Sequence, residues 1–335
     1  KTTDSDSVNR GSNPRGASSS PDIRPANPPK STYVRAEMRY AGAMLADAQT
    51  PPLDPPPEAA ADWTVPQNWE HYAPIDHAVW DRLYARQTRQ LADRATPEYL
   101  SGLTLAGLDQ PGIPNFEQLS ERLTKLTGWS VVAVPGLVPD DVFYHHLSQR
   151  RFVAGSFIRR MDQLDYLEAP DVFHDVFGHV PLLSHPVFAD YMQAYGEGGL
   201  RSLEFGALHK LARLYWYTVE FGLIRSDNGL KLYGAGIASS HGESAFALDD
   251  ASPNRIGFDL LRVMRTPYRI DDYQQGYFVI DSFESLLRTT LDTDFAPLYA
   301  QLAELPDLEI AALAPGDTVL TKGTQAYARS RAAKS

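Results

Sequence analysis

The chain has 335 residues, 43% of them hydrophobic, enough for one large domain or two modest ones with a substantial core. A formal charge of −11 at pH 7 and a pI near 5.3 argue against nucleic acid and anionic membrane as partners, since both need a basic face. Cysteine is absent, which excludes disulfide frameworks, thiolate metal sites and cysteine nucleophiles.

Residues 1–35 are rich in Ser, Pro, Asn, Asp and Arg without periodicity and read as a disordered tail. A short helix over 36–48 and a stiff, extended linker through Pro51, Pro52, Pro55, Pro56 and Pro57 should follow. The organisation expected is therefore a tail and proline-rich linker at 1–60, a folded unit at 61–315 starting near Trp63, and a C-terminal tail at 316–335. Trp80, Leu83, Tyr84 and Leu91 share one side of a helix predicted over 75–91. Thr96 and Pro97 read as the cap and first turn of a helix reaching Leu105, and 114–123, followed by Gly128, as another. Strands are expected at 129–134 and 152–158. Between them lie a turn through Pro135, Gly136 and Pro139 and a helix over 141–149 capped by Asp140. Helices over 185–196 and 200–224 come next, then a short hairpin with arms at 230–233 and 237–239 around Gly234 and Gly236. A strand at 277–280 and a last helix over 282–291 close the unit, and the apolar pattern fades beyond Pro315. The class is mainly α with a few short β-strands, without internal repeats and without an alternating βαβ series. No apolar run is long enough to span a membrane and no signal-peptide core follows the N-terminus, so a cytoplasmic protein is expected.

The most informative stretch is Asp171-Val-Phe-His174-Asp175-Val-Phe-Gly178-His179-Val-Pro181. Two histidines close together suggest a metal site. Helical zinc hydrolases place theirs at i and i+4, on one face. A gap of five turns the second ring by roughly 140° in an ideal helix, so both reach one metal only if the backbone departs from that geometry. Gly178 and Pro181 are the residues expected to allow or force the departure. Glu220 is the one acid in the apolar and aromatic run from Leu214 to Ile224 and is the candidate third ligand, because burying a bare carboxylate costs several kcal/mol. A competing reading stays open at this point: His209, Arg213, Tyr217 and Glu220 could form a polar stripe with Glu220 near Arg213. Two His and one carboxylate without Cys would form the facial triad of non-haem iron(II) oxygenases. Other signatures fail. Ser239 stands where a dinucleotide fingerprint needs its third glycine, and Ala238 where a nucleophile elbow needs glycine. A zinc hydrolase with Asp175 as base is a minority reading, given the wrong His spacing.

Three motifs in order, His174-Asp-Val-Phe-Gly-His179-Val-Pro181, Tyr215-Trp216-Tyr217-Thr218-Val219-Glu220-Phe221-Gly222 and Tyr233-Gly234-Ala235-Gly236-Ile237-Ala238-Ser239-Ser240, resemble the pterin-dependent aromatic amino acid hydroxylases. The resemblance runs from about Trp63 to about Leu305 and includes the segments 134–143 and 264–271. It is strongest to the single-domain bacterial members that hydroxylate phenylalanine; the regulatory domain and tetramerisation coil of animal members have no evident counterpart. The resemblance implies a single catalytic domain of that type. It implies iron(II) held by His174, His179 and Glu220, with dioxygen as co-substrate. It implies a tetrahydropterin, tetrahydrobiopterin or a related reduced pterin, against Phe143, with backbone contacts around Gly136, Val138 and Asp140, and with Asp175, Ala212 and Tyr215 nearby. It implies that Arg159, oriented by Asp171, pairs with the substrate carboxylate, and that Pro170, Trp216 and the loop of Gly236, Ser239 and Ser240 line an L-phenylalanine pocket. Glu243 and Tyr233 should stand behind the site. A monomer and a separate pterin-recycling enzyme are expected. A tryptophan or tyrosine hydroxylase of the same family, and a non-catalytic pterin- or amino-acid-binding protein, are the alternatives. The chain departs from the family at Asp175, where most animal members carry Glu, at Leu167, where they carry Thr, and at Val153, which replaces a His beside the pterin.

Overall fold

The structure is a computed structural model describing residues 54–165, 170–270 and 272–333. The expected tail, the helix at 36–48, the first prolines of the linker and Leu167 lie outside those residues. The first three helices follow their local signals. Helix α1 (Pro74–Leu91) turns Val79, Trp80, Leu83, Gln87 and Leu91 inward. Helix α2 (Pro97–Leu105) starts where Thr96 Oγ accepts the Tyr99 N–H. Helix α3 (Phe116–Thr127) is capped by Asn115, whose side chain accepts from Glu117 and Gln118, and ends at Gly128 with φ 79°.

Strand β1 (Ser130–Val134) leads to helix α4 (Asp140–Ser148) and strand β2 (Arg151–Gly155), which pairs with β1 in parallel. Asp140 is the first helical residue; the cap position is Pro139, and no side chain bonds there. The β-strand expected to reach Ile158 stops at Gly155. Next come a π-helical segment (Phe173–His179), a short helix α5 (Val180–Leu183) and the long helix α6 (Pro186–Glu204). The helix expected over 200–224 does not exist as one element. Gly206, at φ 61°, breaks the chain after α6. Helix α7 (Leu208–Tyr215) then passes into a second π-helical turn (Trp216–Glu220).

Strands β3 (Leu223–Ser226) and β4 (Gly229–Leu232) make an antiparallel hairpin. The expected hairpin around Gly234 is thus displaced, and its second arm is a helix, α8 (Ala235–Ser239). Helix α9 (His241–Asp249), strand β5 (Asn254–Gly257), helix α10 (Leu260–Met264), the fully buried strand β6 (Gly276–Ile280), and helices α11 (Phe283–Asp292) and α12 (Phe295–Glu304) follow. The segment expected as a C-terminal tail adds strand β7 (Val319–Thr321), antiparallel to β5, and helix α13 (Ala326–Ala332). The sheet order is β4-β3-β6-β5-β7. One core of buried aromatic and aliphatic side chains runs through these elements, with Trp80, Trp129, Tyr191, Tyr217, Phe173 and Phe177 among its largest fully buried members. Helices α1 and α2 pack behind the first π-helical segment, Trp80 on Phe173 and Tyr99 on Phe177, and that segment faces a cleft beside β2 and α4.

Candidate active site

The awkward spacing of His174 and His179 is resolved by the backbone. Residues 173–179 wind as a π-helix, whose bonds close between residues five apart. The wider turn swings His179 back toward His174, and the ring centroids lie 5.2 Å apart. Gly178 does not act through backbone freedom, as its φ is not left-handed. It acts through space: a Cβ there would sit 2.9 Å from the carbonyl oxygen of Ala235. Pro181 withholds the N–H that an α-helix would give to the Phe177 carbonyl.

Glu220 ends the second π-helical turn, where the Phe221 N–H reaches back five residues to the Trp216 carbonyl. Its Oε1 is 3.2 Å from His179 Nε2 and its Oε2 3.8 Å from His174 Nε2. One donor atom from each of the three residues lies within 4.8 Å of the others. The polar-stripe alternative fails. Arg213 turns to Asp307, at 2.7 Å through both terminal nitrogens, and to the Met264 carbonyl. Tyr217 donates to the Pro267 carbonyl. Close packing of glycines holds the carboxylate segment. A Cβ at Gly234 would meet the Glu220 carbonyl oxygen at 2.4 Å, and one at Gly236 would meet Glu220 Oε2 at 3.1 Å.

Burial pushes the Glu220 carboxyl up, but the His179 and His174 imidazoles beside it outweigh that and hold it below the usual glutamate value. Burial lowers His174 to about 4, so its imidazole is neutral. Ser239 Oγ donates to the Ala235 carbonyl at 2.9 Å and lies 2.9 Å from His174 Nδ1. The serine hydrogen is committed, so Nδ1–H donates to it and the Nε2 lone pair faces Glu220 and His179. Two imidazoles and a carboxylate, without thiolate, suit non-haem iron(II).

Beside the three donors is a cavity of about 120 Å³. It brings together Gly136, Val138, Asp140, Phe143, Asp175 and Tyr215, expected around a pterin, with His174, His179 and Pro170. Phe143 and Tyr215 meet edge to face at 5.8 Å. Ala212 does not border the cavity; it is buried in α7. Trp216 also stands apart, stacked on Tyr268 at 4.2 Å. Gly236 packs on Glu220, Ser239 on His174, and Ser240 caps α9 by accepting the Glu243 N–H. Sequence reasoning missed Phe152, whose ring is 4.8 Å from that of His179, along with Phe157, Leu137 and Gly155. Parallel strands bind ligands beyond their carboxyl ends, and β1 and β2 both end here, at Val134 and Gly155.

Arg159 and Asp171 form a buried bidentate pair, Nε to Oδ2 and Nη2 to Oδ1, each at 2.8 Å. Asp171 also accepts the Arg159 and His174 backbone N–H groups. Burial raises the Asp171 carboxyl, and these donors more than reverse it, so it stays ionised. Asp175 accepts the Gly155 N–H at 2.7 Å, and burial raises it to about 7. Glu243 stands behind the site, bonded by Tyr277 Oη and the Gln274 N–H.

Residues 64–296 match the family of biopterin-dependent aromatic amino acid hydroxylases. The chain belongs to that family. The hydroxylase is 62% identical to the phenylalanine-4-hydroxylase of Caulobacter vibrioides over 274 residues, 82% of this chain and 93% of the relative. It is 58% identical to that of Ralstonia nicotianae over 264 residues, 79% of this chain and 84% of the relative. Its fold superposes on the iron- and phenylalanine-bound phenylalanine hydroxylase of Chromobacterium violaceum with a TM-score of 0.75 at 53% identity, covering 78% of this chain and 96% of that one. The mainly helical architecture with few strands, a single catalytic domain, is the architecture of those structures.

Proposed function

We propose that the chain is a phenylalanine 4-monooxygenase, converting L-phenylalanine to L-tyrosine with dioxygen and a tetrahydropterin. The observation that carries this is the convergence of His174, His179 and Glu220 beside a cavity with an aromatic wall, in a chain this similar to named phenylalanine hydroxylases. When bound, iron(II) with the reduced pterin supplies the activation of dioxygen that aromatic hydroxylation needs. The protein's own part is binding and orientation. His174, His179 and Glu220 would hold the metal through two imidazole nitrogens and a carboxylate oxygen. Phe143 and Tyr215 would border the pterin, in a cavity that Gly136, Val138 and Asp140 also line. Asp171 takes the Nε–Nη2 edge of Arg159 and leaves Nη1 for the substrate carboxylate; among the described residues Nη1 meets the Leu164 carbonyl at 3.5 Å. Phe143, Phe152, Phe157 and Tyr215 give the cavity a largely aromatic lining.

A zinc hydrolase with Asp175 as base has little support: the carboxyl is engaged by Gly155, and the family match favours oxygen chemistry. A cytoplasmic monomer fits the acidic surface charge and the absence of any helix, among the described residues, long and apolar enough to cross a membrane. Each turnover consumes a reduced pterin, so a separate recycling enzyme must restore it. The catalytic unit starts near residue 61, after the tail and linker, and takes in β7 beyond the expected boundary at 315. The test is a panel of L-phenylalanine, L-tryptophan and L-tyrosine with iron(II) and tetrahydropterin. Tyrosine formed from phenylalanine in step with pterin oxidation is expected; turnover with zinc alone, or no pterin consumed, overturns the reading. Glu220→Ala should lose iron that Glu284→Ala, at an exposed position, retains. Arg159→Ala should raise the phenylalanine KM and leave pterin binding little changed.

A further inference from the structure

Two buried polar side chains lie behind the site on helices that carry no ligand: Gln87 on α1, 1% exposed, and Tyr99 on α2, fully buried. Tyr99 spends its donor on the segment that holds the two histidines, and Gln87 donates beside Ser239, with the Ser244 hydroxyl also within its reach at 3.4 Å. The Tyr99 hydroxyl donates to the Phe177 carbonyl at 2.6 Å. That carbonyl is the one Pro181 leaves without an α-helical partner, and it lies between His174 and His179 in the chain. The Tyr99 ring meets the Phe177 ring edge-on at 6.2 Å, which fixes the direction of the hydroxyl. On the other side, Gln87 Nε2 donates to the Ala238 carbonyl at 2.7 Å and the Ser240 carbonyl at 3.2 Å. These flank Ser239, the residue that accepts from His174 Nδ1. One amide thus brackets the serine that sets the tautomer and tilt of the first histidine.

We propose that Gln87 and Tyr99 are positioning residues of the metal centre. The Tyr99 hydroxyl selects the wide-turn register of residues 173–179 over an α-helical one, and the Gln87 amide holds Ser239 against His174. A buried carbonyl left without a donor is destabilising. Removing the tyrosine hydroxyl therefore drives the segment to seek another register, in which the two rings no longer converge. Neither residue touches the metal, yet both set its affinity. The proposal rests on the reading of His174, His179 and Glu220 as ligands.

The test titrates metal-free protein with cobalt(II), recording the visible absorption spectrum and the dissociation constant, alongside thermal unfolding without metal. The variants are Tyr99→Phe, Gln87→Leu, Glu220→Gln and, as a core truncation on a helix that holds none of these contacts, Leu123→Ala. Tyr99→Phe and Gln87→Leu should each weaken cobalt binding by about tenfold or more, the range seen when groups supporting metal ligands are removed, and should change the spectrum. Leu123→Ala should unfold at lower temperature with wild-type affinity and spectrum. Wild-type affinity and spectrum in Tyr99→Phe or Gln87→Leu removes that residue from the proposal, leaving it an ordinary core contact. Wild-type affinity in Glu220→Gln instead removes the ligand reading itself.

Discussion

Glu243→Gln should make the protein less sensitive to rising pH. Glu243 is buried on α9, where its Oε1 accepts from Tyr277 Oη at 2.7 Å and from the Gln274 N–H at 3.1 Å. Burial raises its carboxyl from 4.5 to about 7, although both hydrogen bonds pull it down. The folded protein therefore holds a proton that the unfolded chain releases between pH 4.5 and 7. Stability from this group is fully present below the unfolded value and is lost as pH rises through the folded one. At about 1.4 kcal/mol for each tenfold step in the proton equilibrium, the total loss is on the order of 3 kcal/mol, and about 2.5 kcal/mol of it falls between pH 5 and 8. A glutamine keeps an acceptor oxygen for both donors and does not ionise. Urea unfolding of metal-free wild type and variant at pH 5 and pH 8 measures the difference. The variant should gain about 2.5 kcal/mol on the wild type over that interval, whatever their offset at pH 5. Other titrating groups are common to both proteins and cancel. Stability curves that run parallel from pH 5 to 8 refute the argument, because they would mean that Glu243 is ionised in the folded protein throughout.

Other substitutions probe the site directly. Gly178→Ala forces a Cβ against the Ala235 carbonyl and should cost about 1–3 kcal/mol of stability; because it pushes α8 from the His-bearing segment, iron affinity should fall too, and an unchanged melting temperature would count against that contact. Asp171→Ala strands a buried guanidinium and two backbone N–H groups. A loss of about 3–5 kcal/mol in chemical unfolding is expected, with a higher phenylalanine KM in whatever protein remains folded. Phe143→Ala should raise the pterin KM by about tenfold, the loss of about 1.5 kcal/mol of ring contact, and leave the phenylalanine KM near its original value; the reverse pattern would move the pterin elsewhere.

Where local signals decide, the fold was legible in the sequence. Thr96 with Pro97, and Gly128, mark helix ends by their own hydrogen bonds or backbone angles, and the structure uses them there; Asn115 caps a helix expected to start before it. The run from Leu200 to Ile224 misled because Leu200, Leu203, Ala207, Leu211 and Leu214 keep a helical spacing, whereas its breaks come from one left-handed glycine and from a π-helical turn. The hairpin was displaced because small residues at 234–239 favour no state strongly; contact with the Glu220 backbone makes them helical. Strand β7 is short and partly exposed, so it carries almost no pattern, and pairing with β5 alone defines it. In the site, the ligand set and most of the expected pterin residues converge. Phe152 and Phe157 were missed because their role follows from where β2 ends relative to His179, a tertiary fact.

The charge distribution explains why the Glu220 segment resisted a decision from sequence. Read along the helix, Arg213 is the natural partner of Glu220, and Lys210 is close by. In the fold both cations turn to Asp307, nearly a hundred residues away, at 2.7 and 2.5 Å. That acid is held well below the usual carboxylate range by its hydrogen bond from Arg213, with Lys210 adding to it. Glu220 is buried against His179 and His174 instead. A buried carboxylate costs several kcal/mol unless it is paired or coordinates a metal. A divalent cation between the three donors removes the deficit and uses the lone pairs that Ser239 helps to aim. Asp307 thus takes up Arg213, the cation that helical spacing alone would set on the Glu220 face.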